Sequence, residues 1–254
     1  MEYLSVPEAR QLSGLRLVLT AGVPGPWGES AKAILAYKGL GFLPVRQDGG
    51  GENAELLDWT GQTSAPVIVL EGQPPVCHWL DQLMLAERLA PSPALVPADM
   101  ALRSECLGLC ALVAGVDGFG WNRRLHMLAP MMALPEPPDA VMRLATKYGW
   151  SDDAMAASMD RLAGISAHLD ARIRAQEAMG HEYLVGDGLT AADLYWANFA
   201  GMVKPLGERD NPMPEYMRQT YQATDEATLG LVTPRLEALR DRVYERHITL
   251  PLDF

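Results

Sequence analysis

The sequence predicts an α+β N-terminal domain over residues 1–90 and an all-α helical bundle over 99–254. Three observations carry that reading. Short runs of branched apolar residues alternate with helical patterns through the first ninety residues, in the order β-α-β-α-β-β-α. Pro91-Ser92-Pro93-Ala94-Leu95-Val96-Pro97 then interrupts the pattern, as a linker over 91–98 does. Beyond it no strand pattern recurs, and Ala, Leu and Met fill the apolar positions, as helices favour.

Each element has its own justification. Leu15–Thr20 is a run of apolar residues fit for a first strand, and Ala21–Pro26 a loop punctuated by Gly and Pro. A helix from about Trp27 to Lys38 buries Ala31, Ile34 and Leu35 and ends at Gly39, the residue that best takes a left-handed cap. Phe42–Arg46 is a second strand. Gly49-Gly50-Gly51 predicts a mobile stretch before a short helix over Ala54–Trp59. Pro66 opens a third strand through Leu70, Glu71-Gly72-Gln73 is a tight turn, and Val76-Cys77 returns as an edge strand. A helix follows over His78–Leu89. In the second half Asp99 is placed to cap a long helix from Met100 to about Leu134, broken by the glycines at 115–120 and stopped by Pro135, Pro137 and Pro138. Ser151 caps a helix that runs to about Met179. Thr190 opens another, and Thr233 or Pro234 opens the last, ending near His247.

Composition narrows the function classes. The net charge is −11, which argues against nucleic acid or an anionic membrane as partner, since both select a basic face. No run reaches the roughly 18 apolar residues that a membrane-spanning helix needs, and no charged start followed by an apolar run marks Met1–Gly14 as a leader. Cys77, Cys106 and Cys110 are an odd number without a CxxC pair, so no metal site is expected and a reducing cytoplasm is the natural compartment. Cys106 and Cys110 share a helix face.

The stretch Gln62–Leu70 is unusual because proline gives no amide hydrogen to a ladder, yet four apolar residues follow it directly. A cis Ala65–Pro66 bond would turn the Ala65 carbonyl and amide outward, where they would pair with an extended ligand. An edge strand or turn would accommodate the proline equally well.

With these residues in place, the chain resembles the soluble glutathione transferase superfamily. Tyr183-Leu184-Val185-Gly186-Asp187-Gly188-Leu189-Thr190-Ala191-Ala192-Asp193 is similar to the family segment G-x-x-x-T-x-A-D. Its physics is a capping box in which the Thr190 hydroxyl and the Asp193 carboxylate satisfy each other's backbone amides. Thr63–Val69 resembles the family's cis-proline strand, Ala86–Pro91 the end of its third helix, and Lys38-Gly39-Leu40 the end of its first. The resemblance implies a thioredoxin-like N-terminal domain with a mixed sheet, glutathione as co-substrate held at Ala65 and Pro66, a small-molecule electrophile as second substrate, and a homodimer.

The match departs at the chemical positions. Family members place Ser, Tyr or Cys at the first turn of the first helix, where the helix N-terminus favours a thiolate. Here the corresponding residue is Trp27, which has an N–H to donate but no nucleophile, and Ser30 one turn later is the nearest hydroxyl. These two are the candidate catalytic residues. At the start of the third helix, where the family holds the γ-glutamyl end with an acidic residue and Ser, this chain has Cys77-His78, the remaining candidates for cofactor binding. The segment Phe119–His126 falls where the helical half overhangs the cleft. Its Trp121 and Arg124 are the candidate substrate pocket, with Arg123 and His126 beside them. Arginines there suit a carboxylate or phosphate, or form a solvated pair beside a core tryptophan. The resemblance implies a glutathione-dependent conjugating or cleaving enzyme. The departures suit, as the alternative, a ligand-binding relative with a degenerate thiol site, or an enzyme that works without glutathione.

Overall fold

The computed structural model describes residues 1–254. The first ninety residues hold α1 (Val6–Arg10), β1 (Arg16–Thr20), α2 (Pro26–Tyr37), β2 (Leu43–Gln47), α3 (Ala54–Thr60), β3 (Val67–Val69) and α4 (Trp79–Leu89). The rest is helical: α5 (Met100–Ala114), α6 (Phe119–Met132), α7 (Asp139–Lys147), α8 (Asp152–Ala178), α9 (Ala191–Ala200), α10 (Glu215–Tyr221), α11 (Glu226–Gly230) and α12 (Pro234–His247). No helix is long and apolar enough to cross a membrane.

The sheet is mixed. β1 lies in the centre, parallel to β2 and antiparallel to β3. Its side chains alternate between two cores, as a pleated strand requires. Leu17 and Leu19 join the main core with Ile34 and Leu35 of α2, while Val18 faces a smaller one with Val45, Leu56 and Val67. The expected fourth strand is reduced to a single antiparallel bridge between Ile68 and Val76. Pro74 and Pro75 precede Val76 and have no amide hydrogen to extend a ladder. The Ala65–Pro66 bond is cis.

α2 stops at Gly39, which takes φ +67°. Just before it, buried Lys38 sends its ammonium to the carbonyls of Ala90 and Pro93 at 2.7 Å each and to the Glu87 carboxylate at 2.5 Å. Glu87 in turn accepts from the Leu95 amide at 2.9 Å. The proline-rich connection is thus pinned to the strand-bearing half, and the main core runs without a break from Leu17 and Ile34 to Trp196 and Phe199. The Gly49–Gly51 stretch, expected to be mobile, is likewise fastened. Asn53 accepts from the Asp48 amide and donates to the carbonyls of Asp48, Gly51 and Thr63, and Arg143 donates to the Gly50 carbonyl at 2.8 Å.

In the helical half, Asp99 caps α5 through the amides of Ala101 and Leu102 at 3.0 Å, and Ser151 caps α8 through Ala154. The glycine-rich break falls at 115–118, between α5 and α6. Cys106 and Cys110 are both fully buried on α5. The Thr190–Asp193 box closes as expected, with a heavier load on the carboxylate: Oδ2 accepts the Thr190 N–H and O–H, and Oδ1 the Leu184 N–H, all at 2.8 Å. Four short helices have no counterpart in the sequence reading: α1, α7, α10 and α11.

Candidate functional site

A cavity of 380 Å³ opens between the two halves. Its floor is built from the end of β1, the start of α2 and the loop before β3, through Thr20, Trp27, Gly28, Glu29, Ser64 and Ala65. Its roof comes from α6, α7 and α10, through Arg124, Met131, Leu144, Lys147, Tyr148 and Tyr221. The floor is held in register by Gln47, which accepts from the Thr20 hydroxyl at 2.6 Å and donates to the Thr63 carbonyl at 3.0 Å.

Three of the candidate residues meet here: Trp27, Ala65 and Arg124. No hydrogen bond within the chain uses the Ala65 N–H or C=O, so a backbone donor and acceptor stand free at the cavity wall. The Pro66 carbonyl, by contrast, accepts from Gln82 Nε2 at 3.0 Å and faces away from it. α2 begins with Pro26, and the amides of Trp27 and Gly28 that follow have no partner within the chain, as the first turn of a helix leaves them.

Neither side chain expected to steady a thiolate offers a donor to the cavity. The Trp27 indole N–H donates to the Ala114 carbonyl at 2.8 Å, and the ring packs edge-on against Phe199 at 4.8 Å. Trp27 therefore shapes the cavity with its ring, and its side chain has no donor left for it. Ser30 is fully buried, its hydroxyl has no partner, and it does not line the cavity. On α2 it shares the face of Ala33 and Ile34, which points into the core. Its hydroxyl is buried in the core and does not reach the cavity wall.

Cys77 and His78 are exposed at the start of α4, outside the cavity, with His78 Nδ1 at 4.0 Å from Asp81. Trp121 also lies elsewhere. It packs edge-on against Tyr148 at 4.8 Å and lines a shallow surface depression with Asp117 and Arg161. Consecutive positions on a helix face different ways, so Arg123 parts from Arg124. It is buried and donates to the Met202 carbonyl at 2.9 Å, with burial bringing its guanidinium down to about 10. His126 pairs with Ser158 at 2.7 Å, and burial lowers its pKa.

Other residues of the cavity were missed in the sequence. Lys147 ends α7 and Tyr148 caps it; Val141, Leu144, Ala145 and Tyr148 recur at i, i+3, i+4 and i+7, a signal that would have found the helix. Tyr3, Tyr216 and Tyr221 carry no local signal; they reach the cavity only through the tertiary fold. Tyr3 stands beside Glu29, and burial first, then the Glu29 charge, pushes its phenol up to about 12. Glu29 is raised by burial and held by Lys32 at 2.9 Å.

Neither a protein-family model nor a curated protein sequence matches this chain. Solved structures do. A glutathione S-transferase from Methylobacterium radiotolerans, crystallised with glutathione sulfonate, superposes with TM-score 0.59 over 91% of both chains at 19% identity. The β-etherase LigF of a Sphingobium strain gives 0.61 over 92% of this chain and 97% of its own, at 20% identity. The nitrogen regulation fragment of the yeast prion protein Ure2p gives 0.58 over 92% and 93%, at 16% identity. With a thioredoxin-like strand-bearing half, an all-helical half and a cleft between them, the chain has the fold of the glutathione transferase superfamily.

Proposed function

We propose that this chain binds glutathione against the Ala65 backbone and presents its thiol to a small electrophile in the interdomain cavity, which it conjugates or cleaves. The observation that carries the reading is the free N–H and C=O of Ala65 on the same wall as the unpaired amides of Trp27 and Gly28. An extended peptide adds to such an edge through main-chain hydrogen bonds, with no demand on side chains. The sulfur would then lie at the α2 N-terminus, where free amides and the helix dipole favour a thiolate. Rate acceleration would come from positioning and from backbone stabilisation of that anion. The relative crystallised with glutathione sulfonate supports the choice of ligand.

A second reading rests on an observation of its own. With the Trp27 indole committed to Ala114 and Ser30 sealed in the core, no side chain at the start of α2 serves the sulfur. A glutathione-binding protein without turnover would have this arrangement. Calorimetric titration with glutathione, followed by turnover of a chloronitroaromatic electrophile, separates the two. Binding with turnover supports the transferase; binding without turnover supports the second reading; absence of binding contradicts both.

A further inference from the structure

Six buried side-chain polar atoms in the whole chain lack a hydrogen-bond partner, and three of them belong to residues of the one cavity: Tyr3 Oη, Arg124 Nε and Tyr221 Oη. Two of the three sit together on the roof. The Arg124 guanidinium carbon lies 5.7 Å from the centre of the Tyr221 ring and 5.8 Å from that of Tyr148, so the cation sits over two aromatic faces. Lys147 brings a second cation, its ammonium 5.5 Å from the same Tyr148 ring.

No carboxylate compensates these charges. Burial weighs against the Arg124 charge and the adjacent Tyr221 and Tyr148 outweigh it, so its pKa is raised, while burial and Arg124 lower that of Lys147. Glu29, the acidic residue in the cavity lining, is already bonded to Lys32. Arg124 is half-buried and Lys147 exposed at the mouth of the cavity, and two like charges so placed repel each other until a counter-charge arrives. In a chain of net charge −11, their isolation from every acid is a local feature and does not follow from composition. Met131, Leu144 and Met217 give the roof an apolar stretch, with Tyr216 and Thr220 beside them on α10.

We infer that the roof of the cavity is a carboxylate site, formed by Arg124, Lys147 and the Tyr221 hydroxyl, for an acceptor substrate with an aromatic or alkenyl body. The guanidinium fork pairs with a planar carboxylate, Lys147 adds a point charge, and the Tyr221 hydroxyl donates. Tyr148, Leu144 and Met131 cover the apolar body, which excludes a bare inorganic anion as the fitted ligand. The assignment rests on the proposed function in that it makes the carboxylate part of the electrophile; the binding site itself needs no glutathione.

The test uses cinnamate and cinnamamide, the same body with and without the charge, titrated by tryptophan fluorescence against the full chain. Cinnamate is expected to bind about ten-fold or more tightly than cinnamamide, the scale of a charge-assisted bond. Arg124→Met should remove that preference, Lys147→Gln should reduce it, and both should leave glutathione affinity within about two-fold, since the tripeptide is held by backbone on the opposite wall. Equal binding of the two wild-type ligands overturns the inference and needs no variant. So does inorganic phosphate competing as well as cinnamate, which would make this a general anion site, or a loss of glutathione affinity in Arg124→Met, which would give the arginine to glutathione. An Arg124-dependent preference for cinnamate in a chain that fails to bind glutathione would sustain the carboxylate site and sink the proposed function alone. Glutathione binding without any preference for cinnamate would do the reverse.

Discussion

Two polar clusters of this molecule are opposites, one sealed in the core and the other open to the cavity. Around Asp193 every group is matched: the carboxylate collects the Leu184 amide, the Thr190 amide and the Thr190 hydroxyl, and is fully buried. Around Arg124 almost nothing is matched: its Nε and the Tyr221 hydroxyl have no acceptor or donor, and Lys147 has no acid. Burial makes an unmatched polar group expensive and a matched one a clamp. The first cluster therefore holds the start of α9 to the segment before it, and the second marks where something from outside is to be received. The same distinction sorts the α2 N-terminus and the Ala65 edge with the receiving surface, and the Lys38–Glu87 tie with the clamps.

The contrast can be broken most severely at the closed cluster. Asp193→Ala strips the acceptor from three buried donors and is expected to cost about 3–5 kcal/mol, read as the loss of denaturant midpoint at constant slope. A cost below about 1 kcal/mol would mean the cluster clamps nothing. Gly120→Ala comes next. A Cβ there would lie 2.2 Å from Phe199 Cε1 and 3.0 Å from Trp27 Cη2, so the rings that join α2, α6 and α9 must give way. The expected cost is about 1–3 kcal/mol, seen as a lower melting temperature. At the open cluster the sign should change: Arg124→Met removes an uncompensated charge and should alter stability by less than about 1 kcal/mol or raise it. A large loss would show that the arginine is structural after all. Ser30→Ala should do least, within about 0.5 kcal/mol, because the hydroxyl has no partner to lose. Glutathione affinity should stay unchanged in that variant; a fall would restore Ser30 to the site.

The legible parts of the sequence were those decided by near neighbours. Gly39 closing α2, Asp99 and Ser151 opening their helices, and the Thr190–Asp193 box each follow from residues within four positions of one another. The returning edge at Val76-Cys77 pairs with Ile68 but stops at one bridge, because Pro74 and Pro75 deny it a longer ladder. Of the candidate residues, Trp27, Ala65 and Arg124 line one cavity, and the others lie outside it. Ala65 and Arg124 were placed because the resemblance supplied the fold, but the fate of the Trp27 indole depends on Ala114, 87 residues away, and no count along α2 reveals it. Nor does spacing show that Arg123 turns to Met202 while Arg124 turns to the cavity. Lys147, Tyr148 and Tyr221 converge from α7 and α10, short helices whose pattern gives no hint of what they face.

The most direct measurement is a crystal structure of the full chain grown with glutathione. The account predicts the cysteinyl main chain paired with the Ala65 N–H and C=O, and the sulfur within hydrogen-bonding reach of the Trp27 and Gly28 amides. Glutathione bound elsewhere, with the Ala65 backbone still unpaired, would contradict it.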